Sequence, residues 1–416
     1  MRMYDLAIIG ASPEGLSAAQ RGIQTAKQPR IALITQGWER AWAQKEPAEQ
    51  NSESGTDPWE CLRQLAALGV DVIPEAGTIQ PTETACLWQG TQRTLTAHAF
   101  LLTTDVDRYH ATQYPWTSSN TAQPTASTNT WGIWGALPQN LLLAQQLAHQ
   151  GHAVHLFSRN PHPLPGEDRE MSDWLQRYLA AQGVTFWGNC QGFSAEWIPH
   201  SKTHRLSFTA GGQSHQRQVD QFWQIPLPAL PWQWLQQMPA FTPERESKAS
   251  YLAVNDCLQT AHPQIFACGG WLKGYTSPLI AIQEGHYVVD RVFGDRQGPI
   301  DYAPIPFGLD LPLPWYRIGL NEQQATEQGE KIYVYHGYEA YQPDSPLRGF
   351  CKILTDQQDH ILGAHWFGHS AKAGISLLTL AWEEGIPLRT LKKMPVVDGG
   401  MAQVWQTLKP SPTVGQ

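Results

Sequence analysis

Residues Tyr4–Gly22, YDLAIIGASPEGLSAAQRG, decide the fold. An apolar strand, Leu6–Ile9, runs into Gly10, and a helix-forming run, Leu16–Arg21, leaves from Gly15. Strand, glycine turn and helix in that order form a nucleotide-binding opening, in which phosphate rests on the free N–H groups and positive dipole end of the helix. The fingerprint G-x-G-x-x-G puts its middle glycine where this chain has Ser12. A Cβ there obstructs the approach of backbone to phosphate, while a hydroxyl can donate to an oxygen.

Outward from this turn, strand Ile31–Thr35 completes a βαβ unit. Gln36–Thr56 is polar and patternless; Asp57 and Pro58 then cap and open a second helix. HAFLLTTD, residues 98–105, reads as a buried strand, and the Ser/Thr-rich run 117–130 as a linker. A second βαβ unit opens at Trp131, with a turn at Gly135, a helix to Gln150, Gly151 as its stop and strand Ala153–Phe157. Ile265–Gly274 is a strand ending in glycines, followed by a helix over Leu279–Gly294. From Pro304 the pattern changes to alternating strands (KIYVYHGY, RGFCKILTD, HILGAHWFG) and a helix in AGISLLTLAWEEG. The expected fold class is α/β: two Rossmann-like three-layer domains, then an α+β domain.

The 416 residues are 41% hydrophobic and 16% charged, with net charge -8, a globular balance with no basic face for nucleic acid or an anionic membrane. Leu6–Ile9 is far shorter than a signal-peptide core, and no apolar stretch approaches the ~20 residues of a membrane span, so a cytoplasmic protein is expected. Cys61, Cys86, Cys190, Cys257, Cys268 and Cys351 lie scattered without C-x-x-C or zinc spacing. His360, His365 and His369 fall along a strand and its exit turn, so no metal site is expected.

Two such openings about 125 residues apart, then VNDCLQTAHPQIFACGG (Val254–Gly270) and LPWYRIGLNEQQA (Leu313–Ala325), resemble the pyridine nucleotide-disulfide oxidoreductases of the lipoamide dehydrogenase, glutathione reductase and mercuric reductase branch. The resemblance covers nearly the whole chain. It implies an FAD-binding-like domain over 1–128 and 250–303, an NAD(P)-binding-like domain over 129–249, and a dimerisation domain over 304–416 that makes a homodimer.

Position by position, the resemblance also marks losses. The FAD site falls on Gly10, Ser12, Gly15, Thr35 and Gly269: Thr35 stands where the family has a ribose-binding Glu, with Glu39 four residues beyond, and Gly269-Gly270 replaces a Gly-Asp whose carboxylate holds the ribityl chain. The family's A-T-G turn falls on Thr103-Thr104-Asp105, putting a carboxylate near the cofactor. Of the second turn's three glycines only Gly135 is kept; Leu137 and Asn140 replace the others, and Ser158 and Arg159 end the next strand, where Arg159 could suit an extra phosphate. Gln36–Thr56 contains no cysteine, so the redox disulfide is absent, and Met394–Met401, where the family's His base falls, contains no His. Two lost carboxylate contacts and a strained turn together weaken an FAD site by roughly 4–8 kcal/mol, about three to six decades of affinity. Trp134 and Trp271 are expected to fill the vacated volumes.

The reading favours a non-catalytic or strongly diverged homodimeric scaffold or binding protein, with no catalytic residues assigned. It leaves FAD open and expects no NAD(P). The alternative is a disulfide-independent flavin oxidoreductase or diaphorase drawing on NAD(P)H or another electron donor.

Overall fold

A computed structural model of the chain describes residues 2–35, 58–81, 86–103, 129–224, 252–272, 277–294, 296–340 and 347–411. In chain order the elements are β1 (Arg2–Ile9), α1 (Pro13–Ile23), β2 (Ile31–Ile34), α2 (Pro58–Ala67), β3 (Asp71–Ile73), β4 (Gly77–Pro81), β5 (Cys86–Gly90) and β6 (Thr94–Leu102). Next come β7 (Thr130–Trp134), α3 (Pro138–His149), β8 (Ala153–Phe157), α4 (Arg169–Ala181), β9 (Val184–Trp187), β10 (Gln191–Ile198), β11 (Thr203–Ala210), β12 (Gln213–Val219) and β13 (Gln221–Gln224). The remainder is β14 (Ile265–Ala267), a 3-10 turn (Gly269–Trp271), α5 (Pro278–Val292), β15 (Phe307–Leu309), β16 (Trp315–Gly319), α6 (Glu322–Glu327), β17 (Tyr333–Tyr338), β18 (Phe350–Thr355), β19 (Ile361–Phe367), α7 (Ala371–Glu383), α8 (Leu388–Leu391), α9 (Gly399–Thr407) and β20 (Lys409–Pro410). The chain divides into two compact units, Met1–Ser119 with Pro226–Ile300, and Asn120–Ile225 with Asp301–Gln416.

The first unit is built on a seven-stranded sheet in the order β3-β2-β1-β6-β5-β4, with β14 also on β6. β1 runs parallel to both β2 and β6, placing Ile8 beside Leu33 and Leu101. β5 pairs antiparallel with the first part of β6 and β14 parallel with its end, so Ile9, Leu102 and Ala267 finish side by side. Continuous burial along β2 follows from cover on both faces, the usual state of a parallel sheet. α1 forms because Ser12 caps it and Pro13 pre-sets its first turn. Its small residues admit α5 closely: a Cβ on Gly285 would stand 3.4 Å from the Ala18 Cβ. The two helices are tied by Ser17 Oγ to His286 Nε2 at 2.7 Å and by a bidentate Arg21–Asp290 pair at 2.9 and 3.0 Å.

The second unit carries a parallel sheet, β13-β7-β8-β9, an antiparallel sheet, β10-β11-β12, and a six-stranded sheet, β15-β16-β19-β18-β17-β20. Thr130, expected as the end of a linker, opens β7 because its residue pairs with Ala153; residues 117–128 lie outside the described segments. Aromatic side chains fill the space between the first two sheets, Phe157 meeting Phe208 edge-on at 4.9 Å. α7 covers one face of the six-stranded sheet so closely that a Cβ on Gly374 would come 2.1 Å from Trp366. On the other face four basic residues are cross-strand neighbours in sequence: Arg317 of β16, His365 of β19, Lys352 of β18 and His336 of β17.

Candidate functional site

The first nucleotide turn keeps its backbone shape. Gly10 has φ +118, and a Cβ on Gly15 would come 2.2 Å from the Gly10 carbonyl oxygen, so neither position admits a side chain without movement. Thr103 Oγ1 closes the turn from below, donating to the Ile9 and Gly10 carbonyls at 3.1 and 3.0 Å. Ser12, 1% exposed, does not offer its hydroxyl outward; Oγ accepts the Gly15 N–H at 3.4 Å as the cap of α1. Pro13 carries no N–H, and Glu14 sits buried in the first turn.

Two acidic side chains lie buried beneath this turn. Glu284 of α5, also buried, accepts the Gly269 N–H at 2.7 Å. Cys268 lies near Glu14 and Glu284, and burial first, then those two carboxylates, pushes its thiol well above the ordinary range. Buried carboxylates oppose the approach of a pyrophosphate. Sequence reading missed both, because Glu14 and Glu284 stand 270 positions apart and meet only through the α1–α5 contact. Thr35 is buried and donates its N–H to the Ile73 carbonyl at 3.0 Å, a strand-end role. Glu39, Thr104 and Asp105 lie outside the described residues.

Trp271 is fully buried at the carboxyl end of the sheet. Its Nε1 donates to the Thr103 carbonyl at 2.5 Å, and its ring joins the core of Ile9, Leu102 and Ala267. It therefore fills space at the strand ends, where an open α/β sheet receives a ligand. Trp134 behaves differently. It stacks on Phe193 with ring centroids 4.0 Å apart and joins the aromatic core between the β7–β9 and β10–β12 sheets. The expectation that it plugs a nucleotide volume is replaced by an ordinary inter-sheet packing role.

The second nucleotide turn has the opposite character. Gly135 keeps φ +101. Asn140, at the third glycine position and 1% exposed, folds its amide back, Nδ2 donating to the Trp134 and Gly135 carbonyls at 2.9 Å each. The lost glycine is thus a positive tie across the turn. Leu137, 43% exposed, stands at the N-cap of α3 with no side-chain bond, and that helix has no acidic residue in its first turn. Arg159 is exposed, its guanidinium 5.9 Å from the Trp134 ring centre. Ser158 is buried, and its Oγ accepts the Asn160 N–H at 3.0 Å.

All six cysteines are unpaired. Burial raises the Cys61 and Cys190 thiols, pushes Cys86 up to about 12, and holds Cys268 and Cys351 well above the ordinary range. A thiol held protonated is a poor nucleophile. In Met394–Met401, Asp398 caps α9, accepting the Ser370 hydroxyl at 2.5 Å and the Met401 N–H at 2.7 Å. No group of three or more His, Cys, Asp or Glu suited to a metal occurs among the described residues.

Residues 130–196 match the family pattern described as pyridine nucleotide-disulphide oxidoreductase. Thioredoxin reductase 2, mitochondrial, of Drosophila melanogaster is 28% identical over 152 residues, 34% of this chain and 29% of that protein. Trypanothione reductase of Trypanosoma congolense is 27% identical over 229 residues, covering 53% of this chain and 45% of its own. The matched stretch spans less than half the length of each of these curated relatives. Among solved structures, LpdA of Mycobacterium tuberculosis superposes with TM-score 0.73 at 14% identity, over 98% of this chain and 99% of that one. The HOCl-induced flavoprotein disulfide reductase RclA of Escherichia coli gives 0.70 at 18% identity, over 97% and 99%. Residues 130–196 are thus similar to the pyridine nucleotide-disulphide oxidoreductases, and the whole chain shares the fold of the flavoprotein disulfide reductase structures.

The likeness to that family implies FAD and NAD(P). At the first turn the backbone fits a pyrophosphate and the side chains do not: Ser12 is spent on the helix, Glu14 and Glu284 are buried close by, and Trp271 fills the strand ends. At the second turn Asn140 closes the loop that a dinucleotide would enter. Neither site fits its coenzyme as built.

Proposed function

We propose that the chain is a non-catalytic, homodimeric scaffold or binding protein on a flavoprotein disulfide reductase fold. The division into an FAD-like domain (1–128 with 250–303), an NAD(P)-like domain (129–249) and a dimerisation domain (304–416) belongs to this reading, as does a cytoplasmic location, which suits scattered unpaired cysteines. One observation carries it: burial holds five of the six thiols protonated, and none has a sulfur partner. A dithiol–disulfide exchange needs an accessible thiolate beside a resolving thiol. The helix-capping role of Asp398, where the family's base would fall, supports the same reading.

A second reading is a flavin oxidoreductase without thiol chemistry. The retained shape of Gly10 and Gly15 favours it, because that backbone can still receive a phosphate. The absorbance spectrum of the purified chain separates the two. The scaffold is colourless, gains no band near about 450 nm when soaked in FAD, and sediments as a dimer. A stoichiometric yellow chromophore, released as FAD, establishes the flavoprotein instead.

A further inference from the structure

Apart from both nucleotide turns, the second unit holds a cavity of about 820 Å³ between the start of α4 and the short helix α6, with Lys352 of β18 in its wall. The Lys352 side chain is 2% exposed, and its ammonium touches three carboxylates: Asp168 at 3.0 Å, Glu170 at 2.8 Å and Glu322 at 2.6 Å. Burial alone would lower its pKa, yet Asp168, with Glu170 and Glu322, holds it above the ordinary lysine value. Glu170 is held down to about 2, chiefly by its hydrogen bond with His336, with Lys352 also contributing, so it is ionised at neutral pH. The chain has thus already built a cage for one primary ammonium.

The cage carries more negative charge than Lys352 uses. Five carboxylates line the cavity, Glu167, Asp168, Glu170, Glu322 and Glu327, against two permanent cations, Lys352 and Arg169. Arg317 adds a third cation by pairing with Glu167 at 3.0 Å. Five less three leaves a surplus of two negative charges, counting histidines as neutral. Arg169 is also drawn toward Asp173, at 3.6 Å, which enlarges the surplus. Independently of the charges, Ser172 lines the cavity at 3% exposure, and its hydroxyl has no hydrogen-bond partner among the described residues. An enclosed side chain whose hydroxyl opens on a cavity without a protein partner is a place for a ligand donor.

We propose that this cavity binds a small aliphatic diamine, with one ammonium between Glu322 and Glu327 and the other toward Glu170 and the Ser172 hydroxyl. A cation of charge two matches the surplus, and the volume lies within the range of small-molecule sites. The proposal stands whether or not the scaffold reading holds, since it uses neither nucleotide turn.

Calorimetric titration of the full chain with putrescine at low ionic strength tests it, with butylamine and magnesium chloride as comparisons. Putrescine should bind saturably at one per chain and raise the melting temperature, as any ligand selective for the folded state does. Butylamine should bind about tenfold or more weakly, and the exposed-site variant Glu327→Gln should weaken putrescine by a similar factor. Glu322→Gln should weaken it further; if that variant folds poorly, Glu327→Gln and Ser172→Ala still decide. No saturable heat with putrescine overturns the proposal. So does an unchanged isotherm in Glu327→Gln, or magnesium binding as tightly as the diamine.

Discussion

The two nucleotide turns have diverged in opposite directions. The first keeps its shape: Gly10 and Gly15 hold the backbone as a phosphate would need it, but Ser12 occupies the helix start and Glu14 and Glu284 lie buried beside it. The second keeps a favourable charge: α3 begins without a side-chain cap or acidic residue, but Asn140 has replaced a glycine and tied the loop shut. Shape and charge are separable requirements of a phosphate site, and loss of either suffices to spoil it. Retained glycines therefore report a retained fold more directly than a retained ligand.

This contrast can be broken or sharpened by substitution. Trp271→Ala should have the largest effect, about 3–5 kcal/mol of stability by urea denaturation, because a fully buried indole is removed. Adding FAD to that variant should restore none of it; a flavin-dependent rise in melting temperature would show that Trp271 alone blocks the first site. Gly15→Ala should cost about 1–3 kcal/mol, since its Cβ meets the Gly10 carbonyl. Asn140→Gly should cost about 1–2 kcal/mol for two bonds to carbonyls. Combined with Leu137→Gly, it should let the second turn quench NADPH fluorescence, whereas no single change should let the first bind FAD. Ser12→Gly should be the mildest, a few tenths of a kcal/mol, because glycine is a tolerable N-cap. A gain of FAD affinity in Ser12→Gly would mean that shape, not the buried acids, limits the first turn.

Local chemistry made much of the fold legible. Gly10 and Gly15 mark a strand–turn–helix, and Gly151 and Gly183, both with positive φ, end the helices before β8 and β9. The β10–β12 sheet escaped notice because strands such as QSHQRQV are polar along nearly their whole length, although Gly211-Gly212 supplied a hairpin signal. Ser12 and Asn140 read as missing glycines; that each is a hydrogen-bonding substitute depends on atoms the motif does not describe. Lys352 in the apolar run FCKILT was an anomaly in the sequence itself, but its partner Asp168 lies 184 residues away. Contacts of that separation leave no periodic trace.

The cross-strand row of Arg317, His365, Lys352 and His336 has a consequence for how the six-stranded sheet finds its alignment. Slipping β18 by one position would present Cys351 or Ile353 to Asp168 and Glu170 and thrust an ammonium into the oily layer around Trp366 and Ile375. Stranding charges of both signs costs several kcal/mol, so the misaligned sheet is rejected before it can settle. The salt-bridged lysine thus serves as a proofreader of strand pairing, a task complete once the chain has folded.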